Sequence, residues 1–300
     1  MKNLVILLLL IINVLASSAQ DHHTIFKKMV IDSLAKTLFS ETDDSIKFRV
    51  NTQLENVMSD FLLQEYSLTL NYDSLRFVKS IQPEDGSFKL ITWTIPLKSG
   101  SFLYSGFIQK IQKNAPMEII QLQGNHTEPD EKKIYDKNTW PMAVYTRLIV
   151  NKNKQSDFYT LIGWMGGKEG SSRRVLEVLT FDQDGNPVFG APIFSTDQKT
   201  LKSRVIFEFT DQIPFHLAYE QQRLPGKKKK RGWMIVFNHL SGNSPQFRNS
   251  YKVLIPNYDK FDAFIFDGSK WQFASDIDVR MNKKDSPTYS APANIGLEPK

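Results

Sequence analysis

Cysteine is absent from all 300 residues. Disulfides and thiolate metal sites are thereby excluded, as is a lipid anchor on a cysteine at a processing site, so packing alone must hold the fold. Long apolar runs are almost as scarce. The one that stands out, Leu4 to Leu15 with Asn13 inside it, follows Met1-Lys2-Asn3 and precedes Ala16-Ser17-Ser18-Ala19. At about 12 residues it falls short of the roughly 20 that a helix needs to cross a bilayer core. A positive start, a short apolar stretch and small residues before Gln20 make residues 1–19 a cleavable signal peptide, cut after Ala19. The expectation is an exported chain with no transmembrane span after cleavage, placed in the periplasm, at the outer membrane or outside the cell.

Catalytic and cofactor signatures are missing as well. There is no Gly-x-Ser-x-Gly elbow to hold a strained nucleophile. Gly163-Trp164-Met165-Gly166-Gly167-Lys168-Glu169-Gly170 is rich in glycine but lacks the Lys-Ser/Thr ending of a phosphate-binding loop. It reads as a hairpin between two strands. His22, His23, His126, His216 and His239 have no metal-ligand spacing apart from the adjacent first two. Asp182-Gln183-Asp184-Gly185-Asn186 has the oxygen density of a calcium loop without its Gly and bidentate Glu in register, so a turn is the better reading. No cofactor is implied. The least poor catalytic candidates are Glu208, between Phe207 and Phe209 in an apolar strand, and His239, at the end of another. A half-buried carboxylate needs a donor. Arg204, four residues back on the same strand face, is the expected one.

Two amphipathic helices open the mature chain. Ile25, Phe26, Met29, Val30, Leu34, Leu38 and Phe39 recur at helical intervals. Leu54, Val57, Met58, Phe61 and Leu62 do so again, with Thr52 and Glu55 spaced as a capping box. Both helices are expected to pack on a sheet. From about Ile81 the grammar changes to short β-branched and aromatic runs. Seven are clear: 88–95, 102–108, 158–164, 174–181, 204–209, 233–237 and 261–266. Asp85-Gly86, Asp184-Gly185 and Asp267-Gly268 fall between runs, where an Asp-Gly pair suits a tight hairpin. The expected fold is therefore mainly β within the α+β class, an antiparallel meander built as a sandwich or in a propeller-like way, with a helical N-terminal segment. The boundaries are a helical segment over 20–78, a β domain over 79–280 and a disordered tail over 281–300. Trp93, Trp140, Trp164, Trp233 and Trp271 belong mostly to the core, with one or two left exposed as a stacking platform for a sugar ring.

The formal charge is +6, and removal of Lys2 with the signal lowers it by one. The excess concentrates in Lys227-Lys228-Lys229-Lys230-Arg231, readable also as a loop kept soluble by its lysines, and in the Lys283-Lys284 tail. In an exported protein such a run favours anionic envelope polymers over nucleic acid. It is the candidate binding element.

The second half resembles a family of exported Bacteroidota proteins that carries no assigned activity. The residues concerned include Tyr159-Thr160-Leu161-Ile162-Gly163-Trp164, Arg174-Val175-Leu176-Glu177-Val178-Leu179, Phe189-Gly190-Ala191-Pro192-Ile193-Phe194, Ile235-Val236-Phe237-Asn238-His239-Leu240 and Tyr258-Asp259-Lys260-Phe261-Asp262-Ala263-Phe264. The resemblance implies a Gram-negative envelope or extracellular address and adds no reaction. Where that family carries Asp before the His-Leu pair and Pro-Asp before the late strand, this chain has Asn238 and Pro256-Asn257. The expected function is thus non-catalytic binding of an envelope protein or polysaccharide, with a secreted or periplasmic hydrolase of glycans or peptides as the alternative. The sequence sets no oligomeric state.

Overall fold

Asp43 starts the better-marked helix. Its carboxylate accepts hydrogen bonds from the Ser45 and Ile46 backbone N–H groups at 2.8 and 3.2 Å, satisfying donors that a helix start leaves open. This helix, α2 (Asp44–Leu62), therefore begins well before Thr52. Thr52 lies in its interior with Oγ1 bonded to the Phe48 carbonyl, so the Thr52–Glu55 capping box does not form. The preceding helix, α1 (residues 24–40), buries Ile31, Ala35 and Leu38. Ile25, Phe26 and Met29, assigned by spacing to the same buried face, are more than half exposed. A 3-10 turn over Glu65–Leu68 follows α2.

The computed structural model describes residues 24–68, 72, 75–111, 116–124, 128–153, 157–167, 170–196, 200–227, 230–242 and 254–279. Segments 1–19 and 281–300, together with His22, His23, His126, Lys228 and Lys229, lie outside the described residues. No helix among the described residues is long and apolar enough to cross a membrane.

The rest is a β structure in three sheets. The first is a meander of β1 (Val78–Ile81), β2 (Phe88–Pro96), β3 (Phe102–Lys110) and β4 (Glu118–Leu122), paired in that order. The second holds β5 (Tyr135–Asp136), β6 (Val144–Asn151), β7 (Phe158–Gly166), β8 (Ser171–Phe181) and β9 (Pro187–Phe189) in the order β5-β9-β8-β7-β6. The remaining strands are β10 (Phe194–Ser195), β11 (Leu201–Lys202), β12 (Val205–Thr210), β13 (Leu217–Arg223), β14 (Arg231–Ser241), β15 (Ile255–Phe266) and β16 (Trp271–Ala274). β12 pairs with β8, and the others form the third sheet in the order β11-β10-β16-β15-β14-β13. All seven strand runs legible in the sequence are present. Gly86, Gly185 and Gly268 adopt φ of 65°, 78° and 99° at the three Asp-Gly turns, a backbone that glycine reaches without strain. Asp182 serves its turn by accepting from the Asp184 and Asn186 N–H groups.

The layers stack in chain order. Ile91, Trp93, Ile95 and Phe107 on one face of the first sheet pack against α1 and α2. Phe88, Leu90 and Ile108 on its other face meet Leu161, Val175 and Leu179 of the second sheet. Ile162, Leu176 and Val178 on the far side of the second sheet meet Ile235, Phe264 and Trp271 of the third. The arrangement is meander on meander, face to face. Because the first two sheets are covered on both sides, β2 is buried along nearly its whole length and carries no clean in-out alternation.

Candidate functional site

Glu208 accepts a hydrogen bond from Ser171 Oγ at 2.8 Å, and its expected partner is engaged elsewhere. Arg204 and Glu177 are both fully buried, with Nε to Oε2 at 2.7 Å. The ladder explains the choice. Val205 sits opposite Leu176, which brings Arg204 to Glu177 as its cross-strand neighbour. A directly opposed residue is nearer than one on the same strand two pleats away. Arg204 also donates to the carbonyls of Asp130, Lys133 and Phe189 and lies 4.6 Å from the Tyr135 ring centroid. Burial raises the Glu177 carboxyl above its ordinary range, and Arg204 pulls it back. This is a structural pin for the loop before β5. Its trace in the sequence is a single charge within Leu176-Glu177-Val178.

His239 lies in a bulge of the β14–β15 ladder between Asn238 and Leu240. Its Nδ1 is 2.8 Å from Oδ2 of Asp262, a nearly buried carboxylate. A carboxylate at Nδ1 fixes the ring and leaves Nε2 for other work. Half of a hydrolytic set is therefore present. No hydroxyl or second carboxylate is bonded to His239 among the described residues. Asn238 Oδ1 accepts the His216 N–H while its Nδ2 donates to the Asn257 carbonyl, tying together the two positions where this chain has Asn.

Lys227 and Lys230 lie at the tip of the β13–β14 hairpin. The Leu224 N–H donates to the Lys230 carbonyl and the Lys227 N–H to that of Leu224, with Gly226 at φ 70°. Lys227, Lys230 and Arg231 are exposed, and no carboxylate lies within ion-pair distance of them among the described residues. Arg231 donates to the Gln221 carbonyl at 2.7 Å, which holds it on the hairpin.

Two residues past Arg231, on the same strand face, stands Trp233. It is 49% exposed, whereas Trp93, Trp140 and Trp271 are fully buried. Register explains the difference. Ile235 of β14 lies under the second sheet, and Trp233 reaches beyond it. The Trp233 ring stacks on Tyr219 of β13, with centroids 4.9 Å apart and planes 26° from parallel. Arg147 of the second sheet brings its guanidinium within 5.7 Å of the Tyr219 centroid. Burial raises the Tyr219 hydroxyl above its ordinary pKa, offset in part by Arg147. The outcome is a rigid aromatic shelf edged by cations from two sheets. The basic run was legible from sequence. The shelf was not, since Arg147 and Tyr219 reach it only through sheet packing.

Compared with known proteins, the chain matches no protein-family model, no curated protein and no solved structure.

Proposed function

We propose that this is an exported, non-catalytic envelope or secreted protein of the Bacteroidota type that binds an anionic polysaccharide through the β13–β14 hairpin. One observation carries the reading: an exposed tryptophan stacked on tyrosine shares its strand face with a basic tip whose charges are unpaired among the described residues. An indole offers a flat apolar surface to the C–H face of a sugar ring. Cations beside it supply attraction to carboxylate or sulfate groups, strongest at low salt. The export address rests on residues 1–19, and the non-catalytic reading is supported by His239 having no hydroxyl bonded to it, and Glu208 no second carboxylate beside it, among the described residues.

The test is retention of the mature chain, from Gln20 onward, on immobilised acidic and neutral polysaccharides and on solubilised envelope proteins. Retention on the acidic polymer is expected to fall as salt rises. Neutralising Lys227 to Arg231 should weaken it at least about tenfold, and Trp233→Ala several-fold. Binding indifferent to salt and to both changes would sink the proposal. Retention on an envelope protein alone would move the function to protein recognition.

A further inference from the structure

A second concave surface lies at the other end of the stack, where α2 crosses the edge of the first sheet. We infer that this cleft binds a small organic cation carrying a primary ammonium group. It encloses about 270 Å³ between α2 and the β3–β4 edge. Phe48, Asn51 and Glu55 follow one stripe of α2 into it, while Ser105, Gln121 and Gln123 line it from the sheet side.

The polar groups in the cleft are held before any ligand arrives. Fully buried Trp93 donates its indole N–H to Asn51 Oδ1 at 2.8 Å. Asn51 Nδ2 then donates to Glu55 Oε1 at 2.9 Å, and Ser105 Oγ donates to the same oxygen at 2.6 Å. Among the described residues, Glu55 Oε2 has no hydrogen-bond donor and neither Gln121 nor Gln123 engages its side-chain amide. The cleft thus offers acceptors on a fixed frame.

Charge selects the ligand. Among the described residues, Glu55 is the one ionisable side chain lining the cleft apart from the Tyr104 phenol, and no Lys, Arg or His lines it. The Tyr104 hydroxyl is already occupied by the Gly166 N–H. Lys47, on the turn before Asn51, is buried with its ammonium on the Pro96 carbonyl. A carboxylate in a hollow without a compensating cation attracts positive charge. The half-exposed Phe48 ring in the same lining adds a π face suited to an ammonium. The site owes nothing to the Trp233 shelf, which lies on the third sheet.

Calorimetric titration of the mature chain with matched pairs tests this: n-butylammonium against n-butanol, and glucosamine against glucose. The charged member of each pair should bind once per chain and the neutral member should not. Glu55→Gln preserves the bonds from Asn51 and Ser105 while removing the charge, and should weaken ammonium binding at least about tenfold; Phe48→Ala should weaken it several-fold. Tighter binding of glucosamine than of butylammonium would assign the cation to an amino sugar, and the reverse order to a simple amine, either in support of the site. Equal binding of charged and neutral members, no binding by any probe, or unchanged affinity in the Glu55→Gln protein would overturn it.

Discussion

The two faces of the second sheet are held in different ways. Toward the first sheet lies a polar pin, the Arg204–Glu177 pair, along with the Tyr145 N–H donating to Thr92 Oγ1 and the Trp140 indole at 3.3 Å from the Tyr145 hydroxyl. Toward the third sheet the contact is ring on ring, with Phe207–Phe237 and Phe158–Phe266 centroids 4.7 and 5.8 Å apart. There the Trp271 indole donates to Thr160 Oγ1 at 2.9 Å. An apolar face supplies area without direction, whereas a buried ion pair tolerates one geometry and so fixes where a loop must run.

That contrast can be broken at the pin first. Arg204→Met leaves Glu177 buried without its partner and should cost about 3–5 kcal/mol, measured by chemical denaturation. Replacing both residues, Arg204→Met with Glu177→Leu, should recover most of the loss. Equal losses in the single and double variants would show that the contacts to the loop carbonyls, rather than the pair, set the stability. Thr160→Val addresses the opposite face. It strands the Trp271 indole N–H and should cost about 1–3 kcal/mol, with no displacement of the loop before β5 in amide-exchange patterns.

The smallest effect is expected outside both interfaces, at the β15–β16 turn. Asp267 is partly desolvated, which raises its pKa, but the Gln272 side chain, the Lys270 and Ser269 N–H groups and the Ser269 hydroxyl outweigh this and hold it at about 2, below its usual 3.8. A depressed carboxylate stabilises the fold above its unfolded pKa and loses that contribution as pH falls through the folded value. Wild type should therefore melt above Asp267→Asn at pH 5 to 7, and the gap should close as pH drops from about 4 toward 2. A gap that persisted undiminished at low pH would remove the carboxylate as its cause.

Much of this architecture was written locally. The strand runs and Asp-Gly turns were legible because β-branched residues and positive-φ positions act over a few residues. The helices were legible in period but not in detail. Asp43 starts α2 where Thr52 and Glu55 offered a rival cap, and Ile25, Phe26 and Met29 complete an apolar stripe that the described layers do not cover. The stacking of the sheets was not legible, because strands covered on both faces lose the alternation that would mark an inner side. The partner of Arg204 was hidden for a related reason: four residues along the chain is a local guess, while Glu177 is reached across a ladder whose register only the folded sheets set.

The parallel pairing of β10 with β16 has a consequence in time rather than in space. Apart from β5–β9 and β8–β12, the other neighbours in each sheet follow one another along the chain, so their turns close over short contours. Phe194, by contrast, pairs nearby with Lys202 of β11 on one side and across a long contour with Trp271 of β16 on the other. A chain emerging from its N-terminus can thus complete the first sheet, and the meander of the second, while the β10–β11 hairpin still waits for β16. β16 is the stitch that closes the order of assembly.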